Sequence, residues 1–223
     1  MGDPARKAEL FDAVAQTGKA LAHGKRLELL DLLAQGERSV DALARAAGLG
    51  LTTASAHLQA LKRAGLVTTR RDGVRIHYRL AGDDVAALYA LLQRVARAHR
   101  AAAGAARAAY LGPDDTDCLT REELLERIRS GTATVIDVRP PEEYAAGHIP
   151  GALSVPLDEL EARLADLPAE GEIIAYCRGS NCVLSHDAAR LLDSRGRRAA
   201  RLVDGMLEWR LADLPVEAGA ARS

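Results

Sequence analysis

The 223 residues contain only three cysteines, and none lies before Cys118. An odd number of thiols excludes a fully paired disulfide scaffold and suits a reducing compartment, where thiols are reactive rather than structural. The cysteines form no C-x-x-C pair, and His and Cys never cluster at zinc-ligand spacing, so neither a metal nor another cofactor is expected. No apolar run approaches the length needed to cross a bilayer, and the N-terminus lacks the apolar core of a signal peptide. The chain is therefore expected to be cytoplasmic and to have no membrane partner. Internal repeats are absent beyond a bias toward Ala and Arg.

Charge is also short overall, at a net −1, but it is unevenly placed. Residues 1–110 carry 17 Lys and Arg against 10 Asp and Glu, whereas residues 111–223 carry 13 against 21. A basic half joined to an acidic half points to a polyanion-binding module fused to a second function. With 48% apolar residues, both halves can bury a core.

The first half reads as helical. Val40, Leu43, Ala44 and Ala47 recur at helical spacing behind Ser39, a suitable N-cap. After a short turn at Gly48–Leu51, Thr52 can cap a second helix whose stripe is Ala54, Leu58 and Leu61, ended by Gly65. Two helices so closely joined form a helix-turn-helix pattern. Asp72-Gly73 then separates two β-prone runs, the signature of a tight hairpin, which after a helix-turn-helix is a wing. From Asp83 a longer helix carries Val85, Leu88, Leu92, Val95, Ala96 and His99 on one face, which a second subunit is expected to cover.

Opposite the buried stripe of the second helix lie Thr52, Ala56, Gln59 and Arg63, flanked by Ser55; Thr53 and Lys62 complete the candidate set. Hydroxyls and an amide reach base edges, Ala56 suits a thymine methyl, and Arg63 suits a phosphate or a guanine. Arg70, Arg71 and Arg75 on the wing suit phosphate or minor-groove contacts. His57 sits at the edge of the stripe as a packing residue, His23 at a helix start, and His77 on the wing as an exposed residue. The run Leu51 to Val67 resembles the recognition helix of the ArsR/SmtB family of winged-helix repressors, over roughly residues 6–107. The resemblance implies a homodimer on an imperfect palindrome of double-stranded DNA, with the first and last helices of the domain as its interface. Metal-sensing members carry Cys or His/Asp ligands on the helix at Val40–Ala47 or on the last helix. Here the first has no Cys and the last offers only His99, which argues against metal sensing within this domain.

In the second half, Gly112-Pro113 and Asp114, Asp115 and Asp117 break the helix, and 111–119 reads as a linker. Thr120 and Glu123 form a capping box. Short β-rich runs (Thr134–Val138, Ala152–Val155, Glu172–Tyr176, Ala199–Val203) alternate with helical patterns, as in a parallel α/β sheet. The fold class expected is thus an α+β winged helix-turn-helix domain (1–110), a linker, an α/β domain with a parallel sheet (120–217) and a flexible tail (218–223). Cys177 closes the run Glu172–Tyr176 and opens the loop Cys177-Arg-Gly-Ser-Asn-Cys182 before the next helical pattern. A thiol between a strand end and a helix start meets main-chain N–H groups and the helix dipole, which favour an anionic sulfur. The amides from Arg178 to Val183, through Ser180, Asn181 and Cys182, are expected to cradle it. Gly179 is expected to supply the backbone angles and Arg178 a positive charge.

The motifs Asp137-Val-Arg139, Glu142-Glu-Tyr144, Gly147–Ala152, the Cys177 loop and Asp204-Gly205 to Trp209 resemble a single-domain rhodanese over residues 120–217. That resemblance implies sulfane-sulfur transfer: a thiolate takes sulfur from a donor such as thiosulfate, polysulfide or a low-molecular-weight persulfide and passes it on. Phosphatase loops of related fold end in Arg at the sixth residue after the Cys; here it is Val183, which disfavours that chemistry. Rhodanese loops often place Gly fourth and Arg sixth, where this chain has Ser180 and Cys182, so thiosulfate affinity is expected to suffer. Cys182 either resolves a Cys177 persulfide or packs as a small apolar residue. Asp137 and Arg139 either support the loop or form a structural ion pair, His148 and Trp209 are scaffold, and Cys118 has no assigned role. The expected function is a dimeric repressor whose rhodanese domain senses reactive sulfur. The alternatives are a sulfurtransferase tethered to an unresponsive DNA-binding module, and an arsenite or thiophilic-metal regulator using Cys118, Cys177 and Cys182.

Overall fold

The computed structural model describes residues 3–219, in two compact units, Met1–Tyr89 and Ala90–Ser223. The first holds α1 (Pro4–Leu21), α2 (Gly24–Gln35), β1 (Arg38–Ser39), α3 (Val40–Ala46), α4 (Leu51–Arg63), β2 (Val67–Asp72) and β3 (Arg75–Leu80). Helix α5 (Asp83–His99) begins in this unit and ends in the second. Ser39 caps α3 by accepting from the Ala42 amide at 3.2 Å. Ala54, Leu58 and Leu61 are fully buried, which fixes the rotation of α4 and leaves the opposite face in solvent. Helix α4 starts one residue before the expected cap: Gly50, not Thr52, is its N-cap and offers no side-chain acceptor, so Thr52 stays exposed. Strands β2 and β3 pair antiparallel from Val67–Leu80 to Asp72–Arg75, and β1 joins the far side of β3. Gly73, at a φ of 57°, takes the left-handed conformation that the tight turn of this wing requires.

The second unit continues through α6 (Ala101–Leu111), β4 (Cys118–Leu119), α7 (Arg121–Ser130), β5 (Ala133–Asp137), α8 (Pro141–Ala146), β6 (Leu153–Ser154), α9 (Leu157–Leu160), β7 (Glu172–Tyr176), α10 (Leu184–Ser194), β8 (Ala199–Leu202) and α11 (Met206–Leu211). Its five strands form one parallel sheet in the order β4-β8-β7-β5-β6. Side-chain alternation along β7 divides the core. Ile173, Ala175 and Cys177 face Ala188, Ala189 and Leu192 of α10, while Ile174 and Tyr176 face Leu124, Ile149, Met206 and Trp209. Thr120 and Glu123 close the capping box of α7 in both directions, at 2.8 and 3.3 Å.

Part of the segment 111–119, read as a linker, is built into this unit. Leu111 is buried, Arg201 donates to Thr116 at 3.2 Å and to Asp114 at 2.6 Å, and Cys118–Leu119 extends the sheet along β8. At the other end, the Gly219 amide donates to the Ala145 carbonyl at 2.9 Å; the rest of the predicted flexible tail, 220–223, lies outside the described residues. No helix among the described residues is long and apolar enough to cross a membrane.

Candidate functional site

Cys177 lies just past the end of β7, with none of its surface exposed. Its Sγ is 3.2 Å from the Ser185 hydroxyl oxygen, in the first turn of α10, and 3.5 Å from the Cys182 carbonyl oxygen. Burial pushes the thiol pKa up. Hydrogen bonds from the Cys182 thiol, the Ser185 hydroxyl and the main-chain N–H groups of Ser185 and Gly179 outweigh it, and the thiol titrates below its ordinary value. Cys182 moves the opposite way: its bond to Cys177, and then burial, hold it well above the ordinary range. The loop thus contains one thiol disposed to ionise and a second that keeps its proton and donates it.

The wider cradle differs from the expectation of six converging amides. The Ser180 amide donates to Glu208 Oε1 at 3.2 Å and the Cys182 amide to the Gly179 carbonyl at 2.9 Å, because the loop needs these donors for its own fold. The start of α11 supports it from beneath, the amides of Met206 and Leu207 donating to the carbonyls of Cys177 and Arg178 at 3.0 and 2.9 Å. Gly179 is not in the left-handed region; it is needed for space, since a Cβ there would sit 3.0 Å from Glu208 Oε2. Gly205 is tighter still, its would-be Cβ lying 2.3 Å from the Gly179 nitrogen. Burial pushes the Glu208 carboxyl above its usual range, so this acceptor is held in place at a cost.

Arg178 does not aim its charge at the thiol. Its guanidinium is forked on the buried Glu143 carboxylate, with Nε at 3.0 and 2.9 Å and Nη2 at 2.6 Å, since a carboxylate with no exposed surface demands a cation. Asp137 and Arg139 form a wholly buried pair at the end of β5, tied to Tyr176 and thereby to the residue before the thiol. A groove of about 700 Å³ lined by Tyr144, His148, Ser154, Arg163 and Glu217 includes none of the loop residues 177–182. Cys118 is exposed on β4, two strands from β7 and therefore about 10 Å across the sheet, so the three thiols do not converge on one thiophilic metal.

Ser180 and Asn181, at the tip of the loop, are held from outside by Gln93 and Arg97 of α5 and Arg107 of α6. Sequence patterns gave no sign of these three residues or of Ser185, while Glu143 and Glu208 fall inside the motifs Glu142-Glu-Tyr144 and Asp204-Gly205 to Trp209 but were given no role there. His186, one residue beyond Ser185, is buried with no partner for its Nδ1 among the described residues. Burial first, then Arg201, Arg190 and Arg107, lower its pKa to about 4. An unfolded histidine titrates near 6.5, so between that pH and about 4 the unfolded chain binds a proton that the folded chain refuses. This contribution to stability is complete above pH 6.5 and is lost as pH falls through the window. Replacing His186 with Leu is expected to flatten the fall of Tm between pH 6.5 and 4, checked by thermal denaturation of both proteins; equal slopes would refute it.

In the first unit, Thr52, Thr53, Ala56, Gln59, Lys62 and Arg63 lie exposed along α4, and Ser55 is half-buried. Gln59 and Lys62 also brace the wing, donating to the Tyr78 hydroxyl at 2.9 Å and the Thr69 hydroxyl at 2.8 Å. Arg70, Arg71 and Arg75 are exposed on the wing, but Arg70 is committed to Glu37 at 2.6 Å and Arg71 to the Gly73 carbonyl at 3.0 Å. Arg63 and Arg75 pair with no carboxylate among the described residues and are the uncommitted cations of this face. His23 caps α2 and packs its ring 4.5 Å from that of His57; His77 is half-buried beside Glu37, where an exposed residue was expected.

Residues 21–70 match the family model of a helix-turn-helix domain, and residues 120–212 that of a rhodanese-like domain. The chain is 58% identical over 219 residues to the HTH-type transcriptional regulator Rv0324 of Mycobacterium tuberculosis, covering 98% of this chain and 96% of that protein. Among solved structures it is similar to the homodimeric winged helix-turn-helix DNA-binding domain of Mb0332 from Mycobacterium bovis, a possible ArsR-family regulator. There the identity is 62%, over 45% of this chain and 93% of that one, with a TM-score of 0.42. It is also similar to a thiosulfate sulfurtransferase from Pseudomonas aeruginosa, 31% identical over 48% of this chain and 21% of that one, with a TM-score of 0.44. The chain belongs to the family of HTH-type transcriptional regulators in which a helix-turn-helix domain is followed by a C-terminal rhodanese-like domain.

Proposed function

We propose that this regulator is a dimeric DNA-binding repressor whose rhodanese domain takes sulfane sulfur onto Cys177 as a persulfide and thereby senses reactive sulfur. The observation that carries the reading is the Cys177 sulfur just past the end of β7, 3.2 Å from the Ser185 hydroxyl in the first turn of α10 and in one short loop with a second free thiol, Cys182, surroundings that favour its anionic form. With thiosulfate, the Cys177 thiolate attacks the outer sulfur, the donor S–S bond breaks, and sulfite leaves with the bonding pair; with polysulfide, the leaving group is the shortened polysulfide. Because residues 1–117 contain no cysteine, sulfur must be captured in the second unit. Dimerisation is supported by the apolar faces that one chain leaves in solvent, Leu10, Phe11 and Val14 on α1 and Leu88, Leu91 and Val95 on α5.

The test is a gel shift on the native promoter at fixed salt, with and without polysulfide, for the wild type and Cys177→Ser. Polysulfide is expected to change the wild-type affinity by about 5–150-fold, the ordinary range of allosteric coupling, and to leave the variant unchanged. Equal wild-type affinities would instead leave a sulfurtransferase attached to an unresponsive DNA-binding module.

A further inference from the structure

Four hydrogen bonds from α5 and α6 converge on two adjacent residues of the thiol loop. Arg107 Nε donates to Asn181 Oδ1 at 3.0 Å and its Nη2 to the Ser180 carbonyl at 2.8 Å. Arg97 Nη1 donates to Ser180 Oγ at 3.2 Å, and Asn181 Nδ2 donates to Gln93 Oε1. Arg107 is placed at a cost: burial and then the like charges of Arg97 and Arg201 lower its pKa, and no carboxylate among the described residues pairs with it. A guanidinium kept in such surroundings for the sake of two neutral acceptors fixes their geometry. The loop it grips holds a sulfur with no exposed surface, whose contacts include the Gly179 and Cys182 carbonyls on either side of Ser180 and Asn181, so an external donor or an added sulfur atom, about 2 Å beyond Sγ, needs these surroundings to shift.

We infer that Gln93, Arg97 and Arg107 are positioning residues that latch the Cys177 loop shut, and that sulfur loading of Cys177 releases the latch. The second half of this inference rests on the sulfur chemistry proposed above; the first does not. Helix α5 is then the reader of the loop. It runs unbroken from Asp83 to His99, with Val85, Ala86 and Tyr89 buried near its start and Gln93 and Arg97 on the loop near its end. In the first unit, Tyr89 donates to Asp31 Oδ1 at 3.3 Å. A change in hold on Ser180 and Asn181 therefore acts on the same continuous helix that is anchored in the DNA-binding unit.

The first arm of the test needs no sulfur donor. Alkylation of Cys177 by iodoacetamide is followed by mass spectrometry on the full chain over a range of pH. Arg107→Ala is expected to speed alkylation at least about tenfold, since it removes two charge-assisted hydrogen bonds that hold the loop closed and each is worth about that factor. It should also raise the pH midpoint, because the Cys182 and Ser185 hydrogen bonds loosen with the loop. Arg107→Lys, which cannot hold both acceptors with one planar fork, should fall between the two. Arg97→Ala repeats the measurement at a second site, in case Arg107→Ala fails to fold. Unchanged rate and midpoint in the folded variants would overturn the latch. In the second arm, polysulfide-treated wild type is expected to show faster amide exchange across residues 93–111, and treated Cys177→Ser none. If mass spectrometry finds Cys177 of the wild type converted to a persulfide or to its Cys177–Cys182 disulfide but exchange is unaltered, the readout is overturned while the sulfur chemistry stands; if neither product forms, it is the chemistry that fails.

Discussion

Asp137→Ala is expected to destabilise the second unit by about 3–5 kcal/mol, the cost of leaving a buried charge without its partner. Neither Asp137 nor Arg139 has any exposed side-chain surface. Arg139 Nε donates to both carboxylate oxygens, at 2.9 and 3.2 Å, and Nη2 reaches the Gly147 carbonyl at 2.8 Å, while the Tyr176 hydroxyl donates to Asp137 Oδ2 at 2.7 Å. Burial opposes the Arg139 charge, and Asp137 outweighs it. Removing the carboxylate strands the guanidinium and a tyrosine hydroxyl together. Asp137→Ala/Arg139→Leu is expected to recover most of the loss, because no ion then remains to be buried. Urea denaturation followed by tryptophan fluorescence measures both proteins, since the one tryptophan, Trp209, is buried in the same unit. A loss below about 1 kcal/mol in the single variant would place the pair among ion pairs of little structural consequence.

The fold was legible where the signal is periodic and local. Ala54, Leu58 and Leu61 lie on the buried side of α4 because three residues at helical spacing can share only one face. Asp72-Gly73 marks the wing because few other residues tolerate its turn. The thiol was legible for the same reason: a strand, a cysteine and a helix start in sequence leave little freedom about where sulfur lies. Its partners were not. Gln93, Arg97 and Arg107 lie 73 to 88 residues before the loop residues they hold, and nothing about an arginine on a helix says which carbonyl it will meet. Arg178 misled for a related reason. Its proximity to Cys177 in sequence suggested a charge for the sulfur, but the buried carboxylate of Glu143, 35 residues away, takes the guanidinium. Gly179 was assigned to backbone freedom, which a sequence can suggest; its actual constraint is the Glu208 side chain, which only the packed structure supplies.

The largest chemical effect is expected at the two loop thiols. Cys177→Ser should lower sulfur uptake from polysulfide by about a thousandfold or more, as removal of a covalent nucleophile does. Cys182 governs the fate of the captured sulfur. Once Cys177 carries a persulfide, the Cys182 sulfur can attack the inner sulfur of that group. A Cys177–Cys182 bond then forms, the persulfide S–S bond breaks, and the outer sulfur leaves as hydrosulfide with the proton Cys182 gives up, so that atoms, charge and electrons balance. The high pKa of Cys182 slows this step until its proton has somewhere to go, and the leaving sulfide provides the place. Mass spectrometry after polysulfide treatment is expected to find the internal disulfide in the wild type, a lasting Cys177 persulfide in Cys182→Ala, and neither in Cys177→Ser. A wild type that holds only the persulfide, even with excess donor, would reduce Cys182 to a hydrogen-bond donor. That donor has its own signature: without it, the pH midpoint of Cys177 alkylation in Cys182→Ala should rise, because the strongest of the hydrogen bonds that lower that thiol's pKa has been removed.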